Sequence, residues 1–297
     1  MKNSKVIVIN GLQRSGTNIL YNIFQSHPSV CSIHNKETGE IISQLYRFKS
    51  HRAIFFLIRR LKMIFYNLLN KKVVLDSSLV YIFGKIIDWI FFQYKMQDLN
   101  DPYNRFKFEN ELYTIEDVKL SILCIKSIRW DIELTNFLSK IYTDIYFIGL
   151  VRNGYAVCES WMRREHKKPN EFGLMYKRYY EMMLNYSKSI KNFIIIKFED
   201  IIEDPFHVAS KLFEFANLDP KNLKKMRLNM KKRLTNNGSH KVKFGVENTK
   251  YWFNPQNIRQ LIDPNINEIQ IKQLTEFNKK IFETNAKPIL KYFNYLR

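Results

Sequence analysis

The sequence predicts a three-layer α/β fold with a central parallel sheet and a mainly helical inserted cap, and three observations carry that prediction. Short apolar runs, Val6 to Ile9, Ile122 to Lys126 and Ile145 to Val151, alternate with helical patterns. The runs are continuous, as in strands buried on both faces of a parallel sheet. From about 40 to 115 the alternation stops and long apolar, basic stretches take over, which marks an insertion. A chain of 297 residues with 45% hydrophobic content can bury one sizeable core. Glycine (9) and proline (8) are scarce, and no low-complexity tract or fixed repeat divides the chain. Residues 1–297 are therefore expected to form one domain.

The first element is the strand and loop Lys5 to Asn18, KVIVINGLQRSGTN. The strand breaks at Gly11, Gly16 follows, and Thr17 to Gln25 places Ile19, Leu20, Ile23 and Phe24 on one side of a helix. Glycines let the backbone wrap an anion, and a helix N-terminus aims unpaired N–H groups and partial positive charge at it. Gly11 and Gly16 have the spacing of the first part of the G-x-x-x-x-G-K-[ST] loop, so the arrangement is P-loop-like. The next two residues are Thr17 and Asn18. The lysine that would reach the β/γ-phosphates and the hydroxyl that would hold Mg²⁺ are both missing, and Arg14 supplies a cation inside the loop.

Farther along, Ile122 to Lys126 reads as a strand closed by a lysine, Glu133 to Tyr142 as a helix, and Ile145 to Val151 as a second strand. Arg152 follows directly, at the carboxyl end of a strand, where ligands bind in open α/β sheets. From Gly154 the pattern is helical, and Ser160 and Arg164, four residues apart, share a face. Within Phe193 to Leu218, Asp204 with Pro205 makes a conventional helix start, with Asp as N-cap and Pro in the first turn.

Together these segments resemble the PAPS-dependent sulfotransferases, and the R-S-G-T form of the loop resembles the carbohydrate and tyrosylprotein branch. The resemblance covers most of the chain outside about 40–115. It implies that Arg14, Ser15, Gly16, Thr17 and Asn18 hold the 5′-phosphosulfate of PAPS (3′-phosphoadenosine 5′-phosphosulfate). It implies that Arg152 and Ser160, with Arg164 on the same helix face, bind the 3′-phosphate, and that Lys126 stabilises charge on the sulfonate and the leaving phosphate. PAP is then the product, and no metal is required. Two positions depart from the family pattern: Phe198 stands where many members carry tyrosine, so its ring can stack but offers no hydroxyl, and Gln13 replaces a common proline.

Sulfuryl transfer to a hydroxyl needs a group that takes the acceptor proton. Related enzymes place a glutamate shortly after the His-Pro that ends the first helix, and Glu37-Thr38 is the nearest match, displaced by two residues. His34 and Glu40 are the alternatives. The acceptor expected is a hydroxyl compound, with a saccharide or glycan favoured and tyrosine, lipid or a small molecule left open. The insertion at about 40–115 is the candidate acceptor cap. A small-molecule kinase, and a non-catalytic anion or nucleic-acid binder, stand as other readings.

The net charge of +20 suits an anionic partner, but the joint richness in Lys, Asn, Ile, Phe and Tyr also suits an AT-rich coding sequence. No zinc spacing, helix-turn-helix signature or RRM motif accompanies the charge, so specific nucleic-acid binding is not expected. Cys31, Cys124 and Cys158 show no paired spacing and read as reduced thiols. Val6 to Ile9 is too short for a signal segment, and cytoplasmic residence is expected. Ala53 to Lys72 and Leu79 to Lys95 are apolar but punctuated by charge, which fits either a cap helix or peripheral contact with the inner face of an anionic membrane. A late basic segment, Asn236 to Trp252, stands about where related enzymes close over the nucleotide.

Overall fold

A computed structural model describes residues 2–37, 77–97, 106–108, 111–166, 168–229, 231–234, 240–244 and 250–296. The elements run β1 (Val6–Gly11), α1 (Thr17–Gln25), β2 (Val30–Glu37), α2 (Ser77–Gln97), β3 (Phe106–Phe108), β4 (Glu111–Leu112) and α3 (Ile115–Leu120). They continue with β5 (Ile122–Ile128), a 3-10 turn at Arg129–Leu134, α4 (Thr135–Ile141), β6 (Ile145–Val151), α5 (Gly154–Glu165) and α6 (Pro169–Ser189). After these come β7 (Phe193–Lys197), α7 (Phe198–Glu203) and α8 (Pro205–Phe215), then β8 (Met226–Asn229), β9 (Lys231–Leu234), β10 (His240–Phe244) and β11 (Lys250–Phe253). Two helices, α9 (Ile266–Gln273) and α10 (Glu276–Tyr292), follow.

Five strands form one parallel sheet in the order β2-β5-β1-β6-β7. Every residue of β1 and β6 is buried, which accounts for their unbroken apolar sequences. Successive strand side chains point to opposite faces. Val6 and Val8 therefore enter one core with Leu123, Ile125 and Phe147, covered by α2, α4, α5, α6 and α10. Ile7 and Ile9 enter a second core with Leu20, Ile148 and Leu150, covered by α1, α7 and α8. The result is the three-layer α/β arrangement expected, with the carboxyl ends of all five strands on one edge.

Two boundaries differ from the sequence reading: β5 runs on to Ile128, so Lys126 stands two residues inside its end, and the helix that follows starts later than expected. The segment read as a helix from Glu133 begins instead as the 3-10 turn at Arg129–Leu134 and becomes α-helical only at Thr135. Within the insertion, α2 buries Phe83, Ile87, Ile90 and Phe91 against the sheet while Tyr81, Ile82 and Trp89 stay exposed. This helix is thus part of a layer of the fold. Residues 38–76, including Glu40 and most of the Ala53 to Lys72 stretch, lie outside the described residues. No helix among the described residues is long and apolar enough to cross a membrane.

Candidate active site

The loop after β1 is shaped by local bonds. Ser15 donates to the carbonyl of Leu12 from both its backbone N–H (3.2 Å) and its hydroxyl (2.6 Å), closing a tight turn. Arg14 (φ 70) and Gly16 (φ 100) adopt left-handed backbone, and Gly16 is the N-cap of α1. Glycine is required at that cap on two counts, conformation and space. A Cβ on Gly16 would stand 2.3 Å from the ring of Phe198, so the ring lies directly on the loop backbone. The first turn of α1 carries no acidic residue, which leaves its N–H groups and positive end for an anion.

Beside the loop, Lys126 on β5 donates from Nζ to Asn18 Oδ1 (2.9 Å) and lies over the Tyr21 ring at 5.2 Å. Its neighbours in register are Ile9 of β1 and Glu37 of β2. Glu37 is the last residue of β2, so it stands in strand at the carboxyl edge. His34 lies on the same strand.

On the other side of the loop, Arg152 leaves the end of β6 and is buried. Its backbone is held by two tyrosines of α6: the Tyr176 hydroxyl donates to the Arg152 carbonyl (3.1 Å), and the Arg152 N–H donates to the Tyr180 oxygen (3.2 Å). The guanidinium stacks over the Phe198 ring at 4.3 Å and donates to the Arg14 carbonyl (2.7 Å). Arg152, Phe198 and Gly16 therefore form one continuous stack. Burial pulls the Arg152 guanidinium down to about 10, with the Glu199 carboxylate opposing.

Ser160 is buried on α5 and makes no side-chain hydrogen bond among the described residues. One turn on, Arg164 joins Arg14, Arg129 and Arg163 in a basic cluster. Burial lowers the affinity of Arg14 for its proton; Glu165 opposes this, and Arg163 and Arg129 add to it. Arg164 is lowered by burial and by Arg14 and Arg163. Glu159 pairs with Arg163 at 2.6 Å, and Glu165 approaches Arg129 at 3.9 Å. Neither Arg14 nor Arg164 has an ion-pair partner within contact distance among the described residues, so the cluster keeps an excess of positive charge facing the loop. Such an excess around two half-buried arginines, Arg14 and Arg164, favours an anionic ligand.

This combination of a phosphate-type loop, a lysine near the carboxyl end of β5 and an arginine directly after β6 has a family counterpart: a profile described as "Sulfotransferase family" matches residues 6–222. The chain belongs to the sulfotransferase family. A sulfotransferase domain of the Synechococcus PCC 7002 olefin synthase has the same fold, with 18% identity, 97% of this chain and 96% of that chain covered, and a TM-score of 0.50. A sulfotransferase domain from the curacin biosynthetic pathway gives 16% identity, 100% and 99% coverage and a TM-score of 0.49. A sulfotransferase from Alicyclobacillus acidocaldarius gives 12% identity, 73% and 82% coverage and a TM-score of 0.40. A search of curated proteins finds no match to this sequence.

In this sulfotransferase the residues singled out from sequence gather at the carboxyl edge: the Arg14–Asn18 loop, Lys126, Arg152 and Phe198 by direct contact, Ser160 and Arg164 on the adjoining helix, and Glu37 by strand register. Residues that carried no sequence signal complete the site. Arg129, with a left-handed backbone (φ 56), donates to Gln13 Oε1 and lies over the Trp161 ring at 4.3 Å. Gln13, noted from sequence only as a departure from proline, thus ties the loop to the end of β5. Asn267 and Gln270 reach Arg152 from α9, more than a hundred residues away in sequence. Three residues apart on one helix, the two share a face. Of the segment Asn236 to Trp252, residues 236–239 and 245–249 lie outside those described.

Proposed function

We propose that this sulfotransferase moves a sulfuryl group from PAPS to a hydroxyl of an acceptor, with a saccharide or glycan as the favoured class. The observation that carries this reading is the contact chain Lys126–Asn18–loop–Arg152. It links a cation suited to the transferring group with a second, buried cation suited to a remote phosphate across one helix N-terminus. In the proposed reaction the acceptor oxygen attacks sulfur in line, the S–O bond to the nucleotide phosphate breaks, and PAP leaves with both electrons of that bond. The loop N–H groups and Arg14 hold the phosphosulfate. Lys126 stabilises charge on the sulfonate and on the leaving phosphate oxygen, from a position where its amine donates to the Asn18 amide oxygen at the start of α1.

Arg152 and Ser160 would take the 3′-phosphate, assisted by Arg164, while Phe198 stacks under the arginine and against the loop. Glu37 is the proposed base for the acceptor proton, because β2 sets it in register beside Lys126 at the edge where sulfur must sit. The acceptor would enter from the side of the insertion, and contact of that insertion with an anionic membrane surface would favour a lipid-linked glycan.

The deciding experiment is transfer of label from [³⁵S]PAPS to a panel of acceptors: oligosaccharides, lipid-linked glycans, tyrosine peptides and small alcohols, with and without excess EDTA. Label on a saccharide, undiminished by EDTA, is expected. Label confined to tyrosine or small alcohols would overturn the acceptor class. Phosphate transfer from ATP that EDTA abolishes, with none from PAPS, would establish the kinase alternative.

A further inference from the structure

Arg152 has five N–H groups, and three are given to oxygens of the protein: Nε to Asn267 Oδ1 (2.7 Å), Nη1 to the Arg14 carbonyl (2.7 Å) and Nη2 to Gln270 Oε1 (2.5 Å). All three acceptors are neutral. A buried arginine is ordinarily matched by a carboxylate. One is present nearby but stands a single residue removed. Glu199, at the start of α7, accepts from the Asn267 amide, from the Asn153 backbone N–H (3.0 Å) and from the Tyr295 hydroxyl (2.7 Å).

This arrangement decides which way the Asn267 amide faces. An ionised carboxylate only accepts, so Asn267 must turn its NH₂ to Glu199 and its oxygen to Arg152 Nε. Asn267 thereby separates the acid from the base, and Gln270 supplies a neutral oxygen on the other side. Asn267 and Gln270 lie on α9, which packs across α5, the helix that carries Ser160. Two N–H groups of Arg152, one on each Nη, have no partner among the described residues.

We infer that Asn267 and Gln270 are positioning residues that fix the Arg152 guanidinium with uncharged oxygens only, leaving its positive charge for the 3′-phosphate of the nucleotide. The inference rests on the donor reading above and adds to it the reason that amides, and not carboxylates, face the arginine. A carboxylate at either position would neutralise Arg152 before a ligand arrived, and the anion would have to displace it or share it.

Gln270→Glu is the cleanest test, since it changes charge with almost no change in shape and does not touch Glu199. Affinities for PAP and for 5′-AMP, which lacks the 3′-phosphate, are measured by calorimetry at several salt concentrations. The parent protein is expected to prefer PAP. In Gln270→Glu, PAP affinity should fall about ten- to a hundredfold, the scale of one charge-assisted hydrogen bond, while 5′-AMP affinity stays within about twofold. The salt dependence of PAP binding should become shallower.

Asn267→Asp sets two carboxylates together and is apt to unfold, so it is paired with Glu199→Gln. That double variant keeps the parent's total charge but moves the carboxylate onto Arg152. It should lose the PAP preference as Gln270→Glu does. Retention of the full PAP preference in Gln270→Glu and in the double variant would overturn the inference while leaving the donor assignment standing. Equal binding of PAP and 5′-AMP by the parent protein would overturn the donor assignment itself, and the inference with it.

Discussion

Lys95 and Arg152 are both buried cations at the ends of the same sheet, one at the amino edge and one at the carboxyl edge. Lys95 spends all three of its donors on the protein: the carbonyls of Lys119 (3.1 Å) and Ser121 (2.5 Å), which close α3 ahead of β5, and Asn3 Oδ1 (3.5 Å). Nearby, Asp88 on α2 is saturated in the same way, by the backbone and side-chain N–H groups of Asn3 (3.1 and 2.8 Å) and the Tyr142 hydroxyl (3.1 Å). Together they clamp α2 to the strand starts. Arg152 is held as firmly but keeps two donors in reserve, beside a loop whose helix-end N–H groups are also unspent. Burial alone therefore does not mark a functional charge. What separates the two is the hydrogen-bonding capacity that the fold leaves unconsumed at Arg152 among the described residues.

If that distinction holds, substitutions at the carboxyl edge should change chemistry and those at the amino edge should change stability. The largest effect is expected for Glu37→Gln, which should cut turnover of labelled PAPS by about 10²–10⁴-fold and leave PAP affinity unchanged. Unaltered turnover would remove Glu37 as the base and point to His34 on the same strand.

Lys126→Ala should lower turnover by about 10²–10³-fold, with a much smaller change in PAP binding because PAP lacks the sulfonate. The same comparison for Arg14→Ala is expected to run in the same direction. An equal loss in both measurements would make these residues anchors of the nucleotide and not of the transition state.

Lys95→Met should do the reverse. It strands three buried acceptors, so unfolding in denaturant should show a loss of about 2–4 kcal/mol, while PAP affinity of the folded protein is preserved. A tight-binding defect without a stability defect would erase the contrast between the two edges.

The smallest predicted effect is one of pH. Burial pulls the Lys95 ammonium down to about 8 from an ordinary 10.5, with Cys31 and Asp88 partly opposing. Below pH 8 the group is charged in both folded and unfolded chains, and the cost of burying it is present in full. Between about 8 and 10.5 the unfolded chain binds a proton that the folded chain has released, so stability rises with pH across that window. The parent should therefore gain on Lys95→Met by about 1–3 kcal/mol from pH 8 to 10.5. A constant difference between the two would show that the amine does not titrate there.

Much of the site was legible because its parts are local. Gly11 to Asn18, Ile145 to Arg152 and Asp204-Pro205 are each contiguous, and their conformations follow from apolar runs, glycine and capping chemistry within a few residues. The helix Thr17–Gln25 and the strand Ile145–Val151 have in the structure the bounds read from the sequence. Family membership was legible for the same reason, since the motif segments and the region matched by the family profile coincide.

The amino-acid sequence by itself thus determined the parallel α/β class, the strand–loop–helix at Gly11 to Thr17 and the place of Arg152 directly after a strand, while β5 runs two residues past the Lys126 at which the sequence reading closed it. Tertiary structure alone decided that Arg129 braces Gln13, that Phe198 lies between Gly16 and Arg152, and that two amides of α9 stand between Arg152 and Glu199. It likewise separated Lys95 from Arg152, two basic residues that look alike in a chain of net charge +20. Which donors of a buried cation are spent depends on carbonyls and amides brought in from far along the chain, and no local pattern encodes those partners.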